Sequence, residues 1–268
     1  MQKELDKIKL GFSSVVIFRN IFKTKVIKKL LKFLNCETKE NIDNIKQIDL
    51  YSEFLSELFK SDNNLADFIL SQIFLDDNIY ISKCILKQEI NNNLKKIFKN
   101  ELNFFKYISS FDFSSIFNKE YSKNIAELEI KEIDFYKIYF EHIKNIDKKG
   151  YGIFYNNNMF VLDDKKNIIA VKNKDNQDIK KLYGYEIERN KVLSNTKILI
   201  EGKKANNILL YGDAGTGKSS TVKAVANFFK DEGLRLIEIK KNQLHFITDI
   251  IEKLSCSPLK FIIFIDDL

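Results

Sequence analysis

Eight consecutive residues have the types and spacing to hold phosphate: Gly212-Asp213-Ala214-Gly215-Thr216-Gly217-Lys218-Ser219. They match the pattern G-x-x-x-x-G-K-[ST] in full, with an apolar stretch before them and a helical pattern after them. Gly212, Gly215 and Gly217 lack a Cβ, so the backbone can curl through dihedrals closed to other residues and turn its amides inward. Those amides, backed by a helix N-terminus, form a nest of positive potential for phosphate oxygens. In such a loop Lys218 reaches the β- and γ-phosphates of a nucleoside triphosphate, and the Ser219 hydroxyl is placed to ligate Mg²⁺. The competing reading is a chance glycine-rich turn.

A second group lies 48 residues beyond Lys218, where the apolar run Phe261-Ile262-Ile263-Phe264-Ile265 delivers Asp266 and Asp267 at its end. Ligands of open α/β sheets bind at the C-terminal ends of strands. Asp266 is therefore expected to help hold Mg²⁺, directly or through water, and Asp267 to orient or deprotonate an attacking water. Strand ends also carry solvated acids, and it is the pairing with the glycine loop that gives the two aspartates weight. A third group, Leu182-Tyr183-Gly184-Tyr185, could pack on an adenine ring or simply start a helix. His142 and His245 stand apart from any carboxylate or cysteine at useful spacing, and Asn173-Lys174-Asp175 echoes a guanine-reading motif only faintly.

The elements that must position these groups are legible in the breakers. Only Gly11 of the nine glycines lies before residue 150, and the single proline is Pro258. Apolar residues recur at three and four positions in Tyr51/Phe54/Leu55/Leu58/Phe59, in Leu65/Phe68/Ile69/Ile73 and in Ile90/Leu94/Ile97/Phe98, each one face of a helix. Ser61-Asp62-Asn63-Asn64 supplies capping side chains between two of them. Residues 1–147 read as an all-helical domain, 148–180 as a small β element and linker, and 181–268 as an α/β core. In the β element, residues 152–162 form a hairpin about Asn156-Asn157-Asn158, and residues 168–171 add a strand after the polar turn Asp163-Asp164-Lys165-Lys166. In the core, a helix spans 185–199, a strand 207–211 leads into the glycine loop, a helix spans 218–230 and Gly233 stops it. A strand at 234–239, a helix at 243–254 and a strand at 261–265 complete an alternation that implies a parallel sheet.

Composition sets the outer bounds. With 268 residues, 44% hydrophobic and 30% charged, the chain is long enough for one large core or two modest ones, and no apolar run approaches the ~18 residues of a membrane span. The short apolar patch at 15–18 is closely flanked by charge and followed by no small-residue cleavage site, so a cytoplasmic protein is expected. Cys36, Cys84 and Cys256 are odd in number and far apart, which suits reduced thiols. The net charge of +7 is almost all lysine; Arg19, Arg189 and Arg235 are the only arginines, so nucleic acid is a disfavoured partner.

The run from Leu182 to Thr196, the segment Asn206-Asn207-Ile208-Leu209-Leu210-Tyr211, the loop with Ser219-Ser220-Thr221-Val222-Lys223-Ala224, and the stretches 233–238 and 261–268 together resemble a bacterial AAA+ ATPase family of unknown physiological function. The likeness covers about residues 145–268. It implies a helical N-terminal domain followed by an AAA+ P-loop parallel sheet with flanking helices. It also implies adenine held near Leu182, Tyr183 and Gly184, phosphates on residues 212–220 including Ser220, magnesium near Ser219 and Asp266, and Lys218 and Asp267 as catalytic groups. The implied activity is ATP binding and Mg-dependent ATP hydrolysis that remodels a protein partner, met through the helical domain, or the protein's own homo-oligomer. Many AAA+ proteins carry Asp-Glu where this chain has Asp266-Asp267, one methylene shorter at the second acid.

In AAA+ sheets a later strand lies between the loop strand and the acidic strand, and the sensor residue, arginine finger and lid follow it. The chain is accordingly expected to be an incomplete, C-terminally truncated piece of a longer ATPase rather than a natural short form. Without that strand, 207–211 and 261–265 either expose unpaired edges or pair with each other, and either arrangement is expected to shift Asp266 relative to Lys218. A nucleotide-dependent binding module with little turnover, and a small-molecule kinase, are the competing expectations.

Overall fold

A computed structural model describes residues 2–36, 41–117, 125–171 and 177–266. The readings at Asn173-Lys174-Asp175 and at Asp267 and Leu268 lie outside them. The chain divides into two compact units, Met1–Glu141 and His142–Leu268.

The first unit is built from α1 (Gln2–Ser14), α2 (Lys25–Leu34), α3 (Asn41–Leu58), α4 (Leu65–Leu75), α5 (Ile79–Ile85), α6 (Asn92–Ser109) and most of α7 (Phe135–Lys144). Asparagines start three of these helices. Asn64 accepts from the Asp67 amide at 2.8 Å, Asn78 from Tyr80 and Ile81 at 3.1 Å each, and Asn91 from Leu94 at 2.8 Å. Two of the three apolar faces read from spacing are buried, Tyr51, Phe54, Leu55 and Leu58 on α3 and Leu65, Phe68, Ile69 and Ile73 on α4. Of the third, only Phe98 is buried, Leu94 and Ile97 are half-buried, and Ile90 precedes α6. Phe59 falls just past α3 and is exposed.

The core of this unit is aromatic. Phe18 meets Phe105 and Tyr139 edge-on at 5.6 and 5.5 Å, and Tyr80 stacks on Phe98 at 3.7 Å. Where the chain bends after α1, the buried Glu101 carboxylate accepts the amides of Val16, Ile17 and Phe18 at 2.7, 3.0 and 3.2 Å. Charge-assisted bonds of this kind settle backbone groups that would otherwise be buried without partners.

The second unit holds one four-stranded sheet in the order β2-β1-β3-β4, with β1 at Met159–Leu162, β2 at Ile168–Ala170, β3 at Leu234–Ile239 and β4 at Lys260–Ile265. The sheet is mixed: β1 and β2 are antiparallel, whereas β1–β3 and β3–β4 are parallel, with Phe160 opposite Ile237 and Ile237 opposite Ile263. Its helices are α8 (Ile146–Lys149), α9 (Glu186–Ile200), α10 (Lys218–Phe228) and α11 (Ile247–Ser255). Period-two alternation sends Leu234 and Leu236 towards Val225 and Ala226 of α10, and Ile237 and Ile239 towards Ile250 and Leu254 of α11. The result is a three-layer α/β unit in which the β element and the core share a single sheet.

Two expectations are corrected. Residues 207–211 do not form a strand. They pair neither with β4 nor with any other described strand, and only Leu210 turns inward, while Leu209 and Tyr211 stand 70% and 89% exposed. A short apolar run makes a strand only where a neighbour supplies the ladder, and among the described residues the outer edge of β4 has none.

The hairpin does not turn at Asn156-Asn157-Asn158. Gly152–Phe154 is a 3₁₀ turn, and the Asn157 amide donates to the Ile153 and Tyr155 carbonyls, which curls that stretch. The reversal comes after Leu162, where the Asp163 carboxylate accepts the amides of Lys165 and Asn167 at 2.8 and 2.7 Å and Lys166 takes φ +65°. The core strands β3 and β4 are parallel, as expected, while β2 of the β element runs antiparallel to β1 across the polar turn at 163–166. A short tight turn can join only antiparallel neighbours.

Candidate functional site

The loop read from the sequence sits at the start of α10. Gly212, Gly215 and Gly217 have φ of +140°, +80° and +78°. Open space surrounds Gly215 and Gly217, so it is the backbone conformation rather than crowding that demands glycine there. Thr216 Oγ1 donates to the Asp213 carbonyl at 2.9 Å and tightens the curve. The Lys218 ammonium donates to the Gly212 and Asp213 carbonyls at 2.9 and 2.8 Å, spanning the loop from the helix side. Asp213, Ala214 and Gly215 are exposed, and Thr216, Gly217, Lys218, Ser219 and Ser220 half-buried.

The acidic strand end reaches this loop. Ser219 Oγ donates to Asp266 Oδ1 at 2.8 Å and lies 3.0 Å from Oδ2, so the hydroxyl and the carboxylate share one point in space. The two residues come from the first turn of α10 and the end of β4, which the sheet register holds in place. Residues 207–211 and β4 do not pair with each other, and the Asp266 carboxylate meets the Ser219 hydroxyl.

A hydroxyl and a carboxylate at this distance suit Mg²⁺, a hard cation that takes one or two protein oxygens and completes its shell with water and phosphate. Among the described residues no group of three or more His, Cys, Asp or Glu could hold a metal by itself, so an ion here would depend on its ligand's oxygens. One ion pair flanks the site, Lys223 with Glu238 at 3.8 Å.

Leu182, Tyr183 and Gly184 form a separate turn. The buried Arg189 donates to the carbonyls of Ile179 and Leu182 at 3.2 and 2.6 Å and to that of Gly184. Tyr183 is 97% exposed, and among the described residues no hydrogen bond or ring contact ties this turn to 212–219.

Sequence reading missed the work of the arginines. Arg235 lies 3% exposed on β3 and directs its five N–H groups at the carbonyls of Phe154, Lys230, Leu234, Lys148 and Lys149, at 3.0–3.1 Å. Burial lowers its pKa to about 10, which leaves it protonated at neutral pH. The available signal was scarcity: in a chain this rich in lysine, a retained arginine marks a place that needs a planar fork of donors.

A family model described as "Protein of unknown function (DUF815)" matches residues 155–268, within the second unit. No curated protein and no solved structure matches the chain. Among the described residues no helix is long and apolar enough to cross a membrane.

Proposed function

We propose that this chain binds ATP with Mg²⁺ on residues 212–220 and belongs to an AAA+ type of ATPase. The observation that supports this most is the Ser219–Asp266 contact, because it joins the hydroxyl of the loop to the acid of the strand end where the two would share an ion. The inward amides of the loop would receive phosphate oxygens, and Lys218 would exchange its two carbonyl partners for the terminal phosphates. Ser219 and Asp266 would hold the magnesium, which when bound supplies charge neutralisation at the phosphate oxygens. Asp267, adjacent in sequence, is proposed to orient water, and Leu182, Tyr183 and Gly184 to cover the adenine. Hydrolysis would then drive rearrangement of a protein partner or of the oligomer.

The test is a calorimetric titration of Mg-ATP into residues 1–268 and into Lys218→Ala, beside a phosphate-release assay. The substitution is expected to weaken binding roughly 100-fold or more, since a charge aimed at the terminal phosphates is lost. Equal affinity in the two proteins would rule out this placement of the triphosphate. A second reading, binding with little turnover, is favoured by the unpaired state of 207–211: the segment entering the loop has no ladder to fix it against β4. Release of phosphate that depends on Mg²⁺ and on Asp266 would eliminate it.

A further inference from the structure

The opposite end of α10 carries a second concavity, about 16 Å from the loop if eleven residues rise 1.5 Å each. It is a cleft of ≈ 530 Å³, within the range of small-molecule sites. Four cations, Lys148, Lys149, Lys230 and Arg235, line it against one carboxylate, Asp231. Among the described residues none of the three lysine ammoniums lies within ion-pairing distance of an acid.

The frame is built rather than incidental. The buried guanidinium of Arg235 pins the end of α8, the 152–154 turn and the 230–232 turn through their carbonyls, and the first and last of these carry the three lysines. Gly150, at φ +74°, lets this happen: a Cβ there would come within 2.7 Å of the Phe154 carbonyl and 3.1 Å of the guanidinium. The amide wall is also held, with Asn158 donating to Asn227 at 2.8 Å and Asn227 to the Gln177 carbonyl at 2.9 Å. Converging like charges raise a positive potential that a matching anion relieves, and a low-dielectric wall focuses it.

We infer that this cleft is a binding site for a small multivalent anion of the phosphate class, separate from the loop at the other end of α10. The lysines supply charge, and the carbonyl-saturated Arg235 a fixed field beneath them. A compact polyphosphate fits the volume and the charge together.

The probe is inorganic pyrophosphate, titrated calorimetrically into residues 1–268 carrying Lys218→Ala so that binding on the loop is weakened. The comparison is the same protein with Lys149→Gln and Lys230→Gln, both exposed positions that the fold tolerates. Saturable binding that weakens tenfold or more in the comparison protein is the expected result. Absence of saturation, or equal affinity in both proteins, overturns the site. Tighter, lysine-dependent binding of an acidic peptide or a single-stranded oligonucleotide than of pyrophosphate overturns the assignment to a small anion. None of these results depends on whether ATP binds residues 212–220.

Discussion

Glu101 in the first unit and Lys218 in the second use one device, a single charge that gathers consecutive backbone groups. Glu101 takes the amides of residues 16–18, and Lys218 gives to the carbonyls of residues 212 and 213. They differ in access to water. Around the buried carboxylate no solvent competes, so losing it strands donors at a cost of about 1–3 kcal/mol each. At the exposed loop, water or phosphate can replace each carbonyl bond at little net cost. A buried charge therefore makes a permanent bend, whereas an exposed one makes a bend whose partner can be exchanged. That is why the first is architecture and the second is proposed as a binding device.

The largest effect that would test this contrast is expected from Glu101→Ala, about 3–5 kcal/mol of unfolding free energy by denaturant titration. Glu101→Gln, which keeps an acceptor oxygen, should cost less than half of that. A loss under about 1 kcal/mol for the alanine variant would mean that the bend does not depend on the charge.

Next comes His142, buried without charge, whose pKa burial lowers to about 4 with a further push from Lys149. Its folded pKa lies below the unfolded value of 6.5, so its contribution is complete above pH 6.5 and is lost as the pH falls to 4. That window is worth about 3 kcal/mol. Stability measured across it should fall more steeply in the wild type than in His142→Phe, and parallel curves would show that the imidazole does not titrate there. The smallest effect is Gly217→Ala, about 1–2 kcal/mol from the left-handed backbone alone, since nothing crowds the position. A thermal midpoint unchanged by this substitution would show that the loop relaxes freely.

Much of both units is legible in the residues. Helical periodicity marked the buried faces of α3 and α4 because 3.6-residue spacing is set locally, and β3 falls at residues 234–239 as read because Gly233 precedes it at φ +94°. The loop was legible because each of its glycines answers a backbone requirement. What failed was pairing. Residues 207–211 have the composition of a strand, but a ladder depends on a neighbour that composition does not name. The Asn156-Asn157-Asn158 turn lost to Asp163, whose carboxylate closes a tighter reversal. Arg235 escaped notice because its five partners are carbonyls from four stretches of chain, which no spacing in the sequence encodes.

The unpaired side of β4 bears on how the protein behaves in bulk. Phe261-Ile262-Ile263-Phe264-Ile265 is an uninterrupted β-branched and aromatic run between Lys260 at its start and Asp266 at its end. Such a run with an unpaired edge is a template for strands of neighbouring molecules, and charges at its two ends guard only the ends. The segment that presents Asp266 to the loop thus also has, among the described residues, an unpaired edge that favours self-association in concentrated solution. A lysine placed on the outer half of β4 would trade a little of the sheet's apolar surface for colloidal stability.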